Sequence, residues 1–278
     1  NRPVDAVRHF RESARLEPSM PASHFNLGTA LTVAGDYDAA VAEFQHALAL
    51  KKDYPQAHNN LASILLQQGR LAEAVTHLNE AIRLGEVLVE LLPSEAAPRA
   101  LLALMLLIHA RTATRGGGAV LVPLKEQDRR LWSLSMIERG KALLVESLAL
   151  GRPSAYAIEA AIQAVHDSAS TFAETDFPQI EQLYSMLRAR GDSPLLRLNE
   201  AVTISVTQGP QAALQRVEAL IREGVLLDHH LLWSSRAEYQ LQLGNVAEAQ
   251  RDLERALHLA TNDAERQLLQ QRLTRLSP

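Results

Sequence analysis

Histidine side chains are the first candidates for chemistry in this chain, because imidazole titrates near neutral pH and is a common metal ligand. His24 and His58 are 34 residues apart and are expected to lie near each other, and His229 and His230 are adjacent. A metal shared by His24 and His58 is conceivable. However, adjacent side chains diverge on a helix, and no HExxH pair or further ligand cluster accompanies them. We therefore predict no metal and no cofactor.

Acid–base catalysis has two weak candidates in the middle of the chain. His166 precedes Asp167, and Thr175 precedes Asp176. The sequence has no cysteine nucleophile, and the glycine run in Arg115–Gly118 lacks the Gly-Lys-Ser/Thr ending of a phosphate-binding loop. Because no nucleophile or phosphate loop accompanies the two candidates, the sequence predicts that the chain is not an enzyme.

Composition favours close-packed helices. Hydrophobic residues make up 47% of the chain and charged residues 22%, which excludes wholesale disorder, while aromatic residues make up only 4%. Strands prefer β-branched and aromatic side chains, whereas Ala and Leu, which are abundant here, favour helices. The net charge of −4 argues against direct binding of nucleic acid, since a polyanion normally requires a basic surface.

The location is expected to be cytoplasmic. The start of the sequence has no apolar core of a signal peptide. The longest apolar run, Ala100 to Ile108, is shorter than the roughly 20 residues that a membrane-spanning helix needs. We interpret this run as a buried helix and predict no membrane contact.

A 34-residue period organises the first part of the chain, and it must position any functional side chain there. The matched pairs are His24 and His58, Leu27 and Leu61, Leu31 and Leu65, Gly35 and Gly69, Ala40 and Ala74, Phe44 and Leu78, Ala47 and Ala81, and Leu50 and Leu84. This pattern resembles the tetratricopeptide repeat (TPR), a helix–turn–helix unit of that length. The resemblance implies an all-α fold, a solenoid of helical hairpins wound into a right-handed superhelix.

Small and large residues alternate within this period for a packing reason. Gly28 and Ala62 are placed where the first helix of a repeat, helix A, crosses the second, helix B. Phe44 and Leu78 then fill the space between neighbouring repeats. The turn glycines Gly35 and Gly69 are expected in the left-handed conformation that ends a helix.

Further repeat copies flank the clear ones. The first 18 residues match the helix B half of an earlier repeat, so the natural protein is expected to extend upstream. A looser copy spans Ser193 to Glu223, and a clear one contains Trp233, followed by a final helix, Ala264 to Leu276, capped by Asn262-Asp263. We predict three segments: residues 1–84 with TPR repeats, 85–192 as a specialised helical region, and 193–278 with C-terminal repeats and a capping helix.

The middle segment departs from the generic repeat. An apolar helix is predicted over Arg99 to Ala113, then a flexible connection over Thr114 to Gly118 and a short extended piece over Ala119 to Val122. Helices resume around Asp128, Ala155 and Ile180.

Several motifs in the second part resemble the C-terminal, TPR-like extension of extracytoplasmic-function (ECF) RNA polymerase sigma factors. They are Glu80 to Gly85, Glu90 to Pro93, Leu101 to Met105, Gln127 to Trp132, Ala160 to His166, Thr175 to Phe177, Leu198 to Val202 and Asn262 to Arg266. The sequence departs from that family at Phe177, where Trp is more frequent, and at Asn199-Glu200, where Asn-Arg is more frequent. The resemblance implies a regulatory module that contacts sigma domains or RNA polymerase. The promoter-melting and promoter-reading domains of such factors are not in the chain. The segment near Glu80 would be the join between the generic repeats and the sigma-like extension, made either by nature or by an engineer.

Two other interpretations stay open: a general TPR adaptor unrelated to transcription, and a noncatalytic helical domain of an enzyme. In a TPR protein the concave groove is lined by helix A, and its candidates here are Phe25, Asn26, Thr29, Val33, Asn59, Asn60, Ser63 and Gln67. Asn and Gln side chains there could bind the backbone of an extended peptide, or the face is simply solvated. The basic residues that grip a C-terminal carboxylate are missing from it.

The motif Gln127, Asp128, Arg129 and Trp132 also has two interpretations. As a functional loop it would contact a partner. As a structural element, Asp128 would cap a helix, Arg129 would form an ion pair and Trp132 would anchor the core.

Overall fold

The computed structural model describes residues 2–115, 122–261 and 263–276, and within these residues the chain is helical with no strand. The predicted connection and extended piece over 116–121, and the predicted cap at Asn262, lie outside the described residues. The α-helices are α1 (Arg2–Leu16), α2 (Pro21–Ala34), α3 (Tyr37–Leu50), α4 (Pro55–Gln67), α5 (Leu71–Leu91), α6 (Ala96–His109), α7 (Leu134–Ala149), α8 (Ala155–Ser168), α9 (Phe177–Arg190), α10 (Pro194–Thr207), α11 (Pro210–Arg222), α12 (His230–Gln242), α13 (Val246–Leu259) and α14 (Asp263–Thr274).

The described residues form two compact units. Unit 1 contains α1 to α8 and ends at Asp176, and unit 2 begins at Phe177 and contains α9 to α14. Within each unit consecutive helices pack as antiparallel hairpins, and in unit 1 α6 also packs against α8. The predicted all-α fold of TPR-like hairpins is confirmed. The three-segment division stays a prediction.

The hairpin turns follow from local sequence. Gly35 and Gly69 have φ angles of 86° and 71°, as predicted, and only glycine adopts this left-handed region without strain. The Asp36 carboxylate then accepts a hydrogen bond from the backbone N–H of Ala39 (3.3 Å) and caps α3. Because each helix is both ended and started by its own residues, the hairpin is specified locally.

The core of repeat 1 (α2 and α3) and repeat 2 (α4 and α5) consists of small and large residues in alternation. Phe44 and Leu78 are fully buried, as is Ala62 at the crossing of α4 and α5. A Cβ placed on Gly28 would lie 2.9 Å from the Phe44 ring, so the α2–α3 crossing needs glycine. The predicted burial of these residues and the close crossing at Gly28 are confirmed, and Phe44 packs there against Gly28 and Phe25 of its own repeat.

Helix α5 departs from the repeat, because it has 21 residues where α3 has 14. Its extra turns pack on α6 through Gly85, where a Cβ would lie 2.7 Å from Met105 Cε. Helix α6 begins three residues earlier than predicted and ends at His109, and a short 3₁₀ turn, Thr112–Thr114, follows it.

The apolar stretch Ala96–Thr114 is longer than the run seen in the sequence. By length and composition alone it could cross a membrane, which corrects the inference that it is too short. Of its 18-residue window, 61% is buried within the protein, and a buried core helix passes the same test. Burial against α5, α7 and α8 accounts for its composition.

Unit 2 contains the predicted C-terminal repeats. Helices α10 and α11 form the looser copy and α12 and α13 the clear one, with Ala213, Ala237 and Ala249 fully buried at the crossings. Trp233 is buried, and its indole N–H donates to the carbonyl of Leu227 (2.8 Å). The predicted final helix corresponds to α14.

Candidate functional site

The predicted groove residues of α2 occupy the helix face that the repeat pattern assigns to them. Phe25 is partly buried, with its ring 4.9 Å from that of Tyr54 and 5.8 Å from that of Phe44. Asn26 is exposed. Thr29, one turn further, donates its hydroxyl to the Phe25 carbonyl (2.9 Å), and Val33 is partly exposed. On this helix the amide of Asn26 is therefore the polar group open to a ligand.

Helix α4 offers fewer open groups than its sequence suggests. Asn59 is only 3% exposed, so its amide is inside the unit rather than on an open groove. Asn60 is partly exposed and Gln67 is exposed, while the Ser63 hydroxyl donates to the Asn59 carbonyl (3.0 Å). Asn60 corresponds to Asn26 by the 34-residue period. The Asn60 amide is thus less open than that of Asn26, because its oxygen also accepts a hydrogen bond from the Asn59 amide (3.4 Å). The exposed Gln67 amide lies beyond them.

The motif Gln127 to Trp132 is directed largely into unit 1. The Gln127 amide N–H donates to the Val122 carbonyl (3.0 Å), and its oxygen lies 3.1 Å from Thr114 Oγ1. The same Thr114 oxygen accepts a hydrogen bond from the indole N–H of Trp132 (2.9 Å), which is 5% exposed. Gln127 and Trp132 therefore fasten the segment after α6 to the core, which favours their structural role.

Arg129 binds the end of α8 rather than a single acid. Its guanidinium donates to the carbonyls of His166 (2.6 Å) and Ala169 (2.8 Å) and to Thr175 Oγ1 (3.2 Å), and it lies 4.8 Å from the centre of the Trp132 ring. Orphaned carbonyls at a helix C-terminus are natural acceptors for a cation. The predicted ion pair is thus replaced by a cap on α8.

Asp128 keeps a capping role, but for a short element. Its carboxylate accepts from the backbone N–H of Arg130 (3.1 Å) at the start of the 3₁₀ turn Arg129–Leu131, and it pairs with the Arg130 side chain (2.7 Å). Hydrogen bonds from Arg130 lower the pKa of Asp128 to about 2. Asp128 and Arg130 are the solvent-facing part of the motif.

A buried ion pair lies close to this motif, since the Arg111 guanidinium is 5.7 Å from the centre of the Trp132 ring. Only an indirect sign of the pair is visible in the sequence. Arg111 Nε is 3.4 Å from Asp167 Oδ1, with the two side chains 3% and 0% exposed, and Arg111 also donates to Gln163. Burial raises the pKa of Asp167 to about 6, against the opposing effect of the Arg111 cation. Burial, together with the Arg111 and Arg129 cations, lowers the pKa of His166 to about 3. The adjacent His166-Asp167 pair, considered for catalysis, belongs to this interior network.

The histidines differ from the sequence-based expectation. His24 hydrogen-bonds within its own repeat to Glu43 (2.7 Å), and His58 does so to His77 (2.8 Å). His229 and His230 do not diverge. Their rings stack with centroids 5.3 Å apart, because His229 precedes α12 as its cap and only His230 is helical. Within the described residues, His24, Glu43 and His46 have ligand atoms that lie within 4.8 Å of one another.

Fold and surface together define a TPR-type helical-hairpin protein, and sequence comparisons agree for the first part of the chain. The tetratricopeptide repeat family matches residues 1–55 and 33–87. A family of unknown function (DUF6596) matches residues 67–148, which begins in α4 and covers α5 to α7. The TPR resemblance is confirmed. The matches give no support to the sigma-factor resemblance.

A relative and a solved structure add to this. The chain is 39% identical over 202 residues to "Uncharacterized protein R00370" of Rhizobium meliloti (strain 1021), covering 72% of this chain and 47% of that protein. The chain therefore spans about half the length of the curated relative that it matches. A tetratricopeptide repeat protein from Parabacteroides merdae ATCC 43184 superposes with a TM-score of 0.50 at 15% identity, covering 99% of this chain and 92% of that one, which supports the fold alone.

Proposed function

We propose that this protein is a noncatalytic adaptor that binds an extended segment of a partner protein on the helix A face of repeats 1 and 2. The observation that carries the proposal is a pair of amides repeated at the 34-residue period, the exposed Asn26 on α2 and the partly exposed Asn60 on α4. An extended peptide presents its backbone groups at regular intervals. Amide side chains repeated along a stack of helices match this, since each amide both donates and accepts.

Neighbouring side chains give this face further binding capacity. The Phe25 and Tyr54 rings form an apolar surface beside Asn26, and Lys51 Nζ lies 5.1 Å from the centre of the Tyr54 ring. An apolar peptide side chain could pack on the rings while Asn26 and Asn60 hold the backbone. Gln67 offers a third amide near the end of α4. We propose the cytoplasm as the setting for this interaction.

The test begins with an array of extended peptides, from which a binder is titrated by fluorescence anisotropy. Replacing both Asn26→Ala and Asn60→Ala should weaken binding roughly tenfold, the effect of losing two hydrogen bonds of about 0.5–1 kcal/mol each. Gln45→Ala is the matched control, because it removes an exposed amide from α3, on helix B. The melting temperature of Gln45→Ala should match that of the wild type, and the double variant should melt only slightly lower, because Asn60→Ala removes a weak hydrogen bond from Asn59 (3.4 Å). Equal affinity of the double variant and the control would refute the groove.

A second candidate function is that of an ECF-type sigma extension that contacts sigma domains or RNA polymerase. The motifs between Glu80 and Arg266 support it, because they resemble the C-terminal extension of such factors. Under this proposal the work is reversible burial of protein surface in a transcription complex.

A binding assay separates the two candidates. The full chain is immobilised, and separately expressed ECF sigma domains and core RNA polymerase are passed over it. Retention of either one that survives the Asn26→Ala and Asn60→Ala double substitution would favour the extension over the groove. Lack of retention at tens of micromolar would exclude the sigma proposal, because functional complexes are usually tighter than that.

A further inference from the structure

Repeats 1 and 2 carry two histidines and one glutamate at the same three positions, but in a different order. One histidine is on helix A, and the other two residues are three apart on helix B and share a face. The positions hold His24, Glu43 and His46 in repeat 1, and His58, His77 and Glu80 in repeat 2. The two repeats therefore provide a natural comparison of the same residues in two arrangements.

In repeat 1 both ring nitrogens of His24 face hydrogen-bond acceptors. Its Nε2 lies 3.0 Å from the Pro18 carbonyl, and because a carbonyl can only accept, Nε2 carries a hydrogen. A neutral ring then turns the bare lone pair of Nδ1 toward Glu43 Oε2, which is 2.7 Å away and is also an acceptor. The lone pairs of Nδ1 and of the carboxylate oxygen therefore point toward one another, as two ligands of one cation do.

A third ligand is available beside this pair. The His46 ring centre lies 5.3 Å from that of His24, and His46 is exposed while His24 and Glu43 are partly buried. The ligand atoms of the three residues already lie within 4.8 Å of one another. Ligands of a tetrahedral cation are about 3.4 Å apart. To receive an ion, His24 Nδ1 and Glu43 Oε2 would separate from 2.7 Å and the exposed His46 would rotate toward them.

Repeat 2 satisfies its groups without a cation. His58 Nε2 likewise faces a carbonyl, that of Lys52 (3.1 Å), but His58 Nδ1 faces His77 Nδ1 (2.8 Å), which can donate a hydrogen to it. Glu80 is held by Arg83 (2.6 and 2.9 Å), where repeat 1 has Ala49 at the equivalent position. The Glu80 carboxylate of repeat 2 is therefore bound by Arg83. Repeat 1 has no arginine at the equivalent position to bind the Glu43 carboxylate.

We propose that His24 Nδ1, the Glu43 carboxylate and a His46 ring nitrogen bind one divalent transition-metal cation, with Zn²⁺ as the representative ion. Two imidazoles and one carboxylate are a ligand set that suits Zn²⁺ and leaves a fourth position for water or a partner's side chain. The hydrogen bond from His24 Nε2 to a backbone carbonyl is the outer contact that orients a metal-binding histidine. The bound ion would link α2 to α3 near the exposed surface.

The test is calorimetric titration of the tag-free full chain with Zn²⁺, with thermal unfolding measured in parallel. One ion should bind per chain and raise the melting temperature, since a ligand of the native state stabilises it. Glu43→Gln and His46→Ala should each weaken binding at least about tenfold. Glu80→Gln is the matched control at the equivalent position of repeat 2 and should bind as the wild type does. A chain that binds no Zn²⁺ saturably, or binds it equally in all variants, would overturn the proposal.

A gain of site provides the second, independent measurement. His77→Glu combined with Glu80→His gives repeat 2 the order of repeat 1 and removes the carboxylate that Arg83 holds. The stoichiometry should rise from one ion to two. If this double variant still binds one ion and His46→Ala binds none, repeat 2 lacks a further requirement that repeat 1 has. If both retain one ion, the cation binds elsewhere and the proposal is wrong.

Discussion

The regular repeats, α2 to α5, and the middle segment, α6 to α8, build the same unit by different means. In the repeats the acids are at the surface and paired along one helix, as Glu73 is with Arg70 and Glu80 with Arg83, and hydrogen bonds from these arginines lower the pKa of both carboxyls. In the middle segment Asp167 is inside, and burial raises its pKa to about 6. The repeats thus expose these carboxylates to solvent, whereas the middle segment buries the Asp167 carboxylate.

This difference teaches where the specificity of packing arises. Repeats stack through small and large apolar residues, an arrangement that any neighbouring repeat can satisfy. The Arg111–Asp167 pair and the bonds of Trp132 can be satisfied in one arrangement only, so they fix the path of the chain after α6. A buried ion pair costs free energy to desolvate, and a unique geometry is what it can provide in return. The following substitutions test this contrast.

The largest effect should come from Asp167→Ala. Three arginine cations, those of Arg111, Arg129 and Arg115, act on this carboxylate, and removing it leaves Arg111 buried without its acid. We expect the free energy of unfolding to fall by about 3–5 kcal/mol in urea titrations. Tryptophan fluorescence in a Trp233→Phe background reports unit 1 through Trp132, since the chain has two tryptophans.

Two further proteins sharpen this measurement. Asp128→Ala breaks the exposed pair with Arg130 and should leave unfolding almost unchanged. Arg111→Met with Asp167→Leu replaces the closest pair by apolar groups and should recover part of the loss, because the buried Arg111 cation is then absent while Arg115 and Arg129 still lack the acid. A single Asp167→Ala variant as stable as the wild type would show that the enclosed charge does not support unit 1.

A second contrast concerns helix crossings. Gly140 on α7 approaches α6 so closely that a Cβ would lie 2.8 Å from Leu107 Cγ and 3.2 Å from the Ala103 carbonyl oxygen, which is backbone and cannot rotate away. Gly140→Ala should therefore cost about 1–3 kcal/mol. Gly151→Ala is the control, since nothing lies within 4 Å of its Cβ position.

The equivalent substitution in the repeats should be correctable. Gly28→Ala meets the Phe44 side chain, and repeat 2 naturally has Ala62 with Leu78 at these positions. Adding Phe44→Leu to Gly28→Ala should restore part of the loss in a double-mutant cycle of urea unfolding. If a smaller facing side chain restores stability equally well at the Gly28 and Gly140 crossings, the two crossings do not differ in the way proposed.

Much of the fold was predictable because particular residue types at fixed positions of the repeat determine how its helices pack. The period of 34 located the turn glycines, the Gly28 crossing and Phe44, and each is where the sequence predicts. The first and last residues of α5 and α6 were harder to predict from the sequence, since an apolar run does not show where a buried helix ends. The extra turns of α5 have no counterpart in the repeat and could not be derived from it.

The candidate sites were predictable only in part, because burial depends on neighbours that are distant in sequence. The repeat pattern assigned both Asn59 and Asn60 to the groove, yet Asn59 is 3% exposed and Asn60 is partly exposed. It paired His24 with His58, whereas the hydrogen-bond partners Glu43 and His77 lie 19 residues away on helix B. A comparison of helix A with helix B positions within one repeat would have brought these residues together.

A third contrast is the response to pH. Burial raises the pKa of Glu159 on α8 to about 7 from its ordinary value of 4.5. In the unfolded chain this carboxyl ionises near pH 4.5. The contribution of Glu159 to the free energy of unfolding is therefore fully present below pH 4.5, and it is lost as the pH rises to about 7. Glu159→Gln has no such loss, and because the side chain is partly exposed we expect a gain over wild type of only about 1–2 kcal/mol by pH 7.5.

Urea unfolding at pH 5 and at pH 7.5 measures this difference, with Glu73→Gln as the control from the repeats. There the sign reverses, because the pKa of Glu73 is lowered and its ionised form favours folding. A wild type and Glu159→Gln variant that differ equally at both pH values would show that burial does not perturb this group.

The smallest expected effect is that of the Trp132 hydrogen bond. Trp132→Phe keeps an aromatic ring near Arg129 and loses the bond to Thr114, which should cost about 1 kcal/mol in urea unfolding followed by circular dichroism. Trp233→Phe in unit 2 loses a comparable bond, to the Leu227 carbonyl, and should cost about the same. The two differ in coupling: Thr114 also contacts Gln127, so Trp132→Phe and Gln127→Leu should be non-additive, as members of one network are. Additive losses would mean that the middle segment is held by separate bonds, in the manner of the repeats.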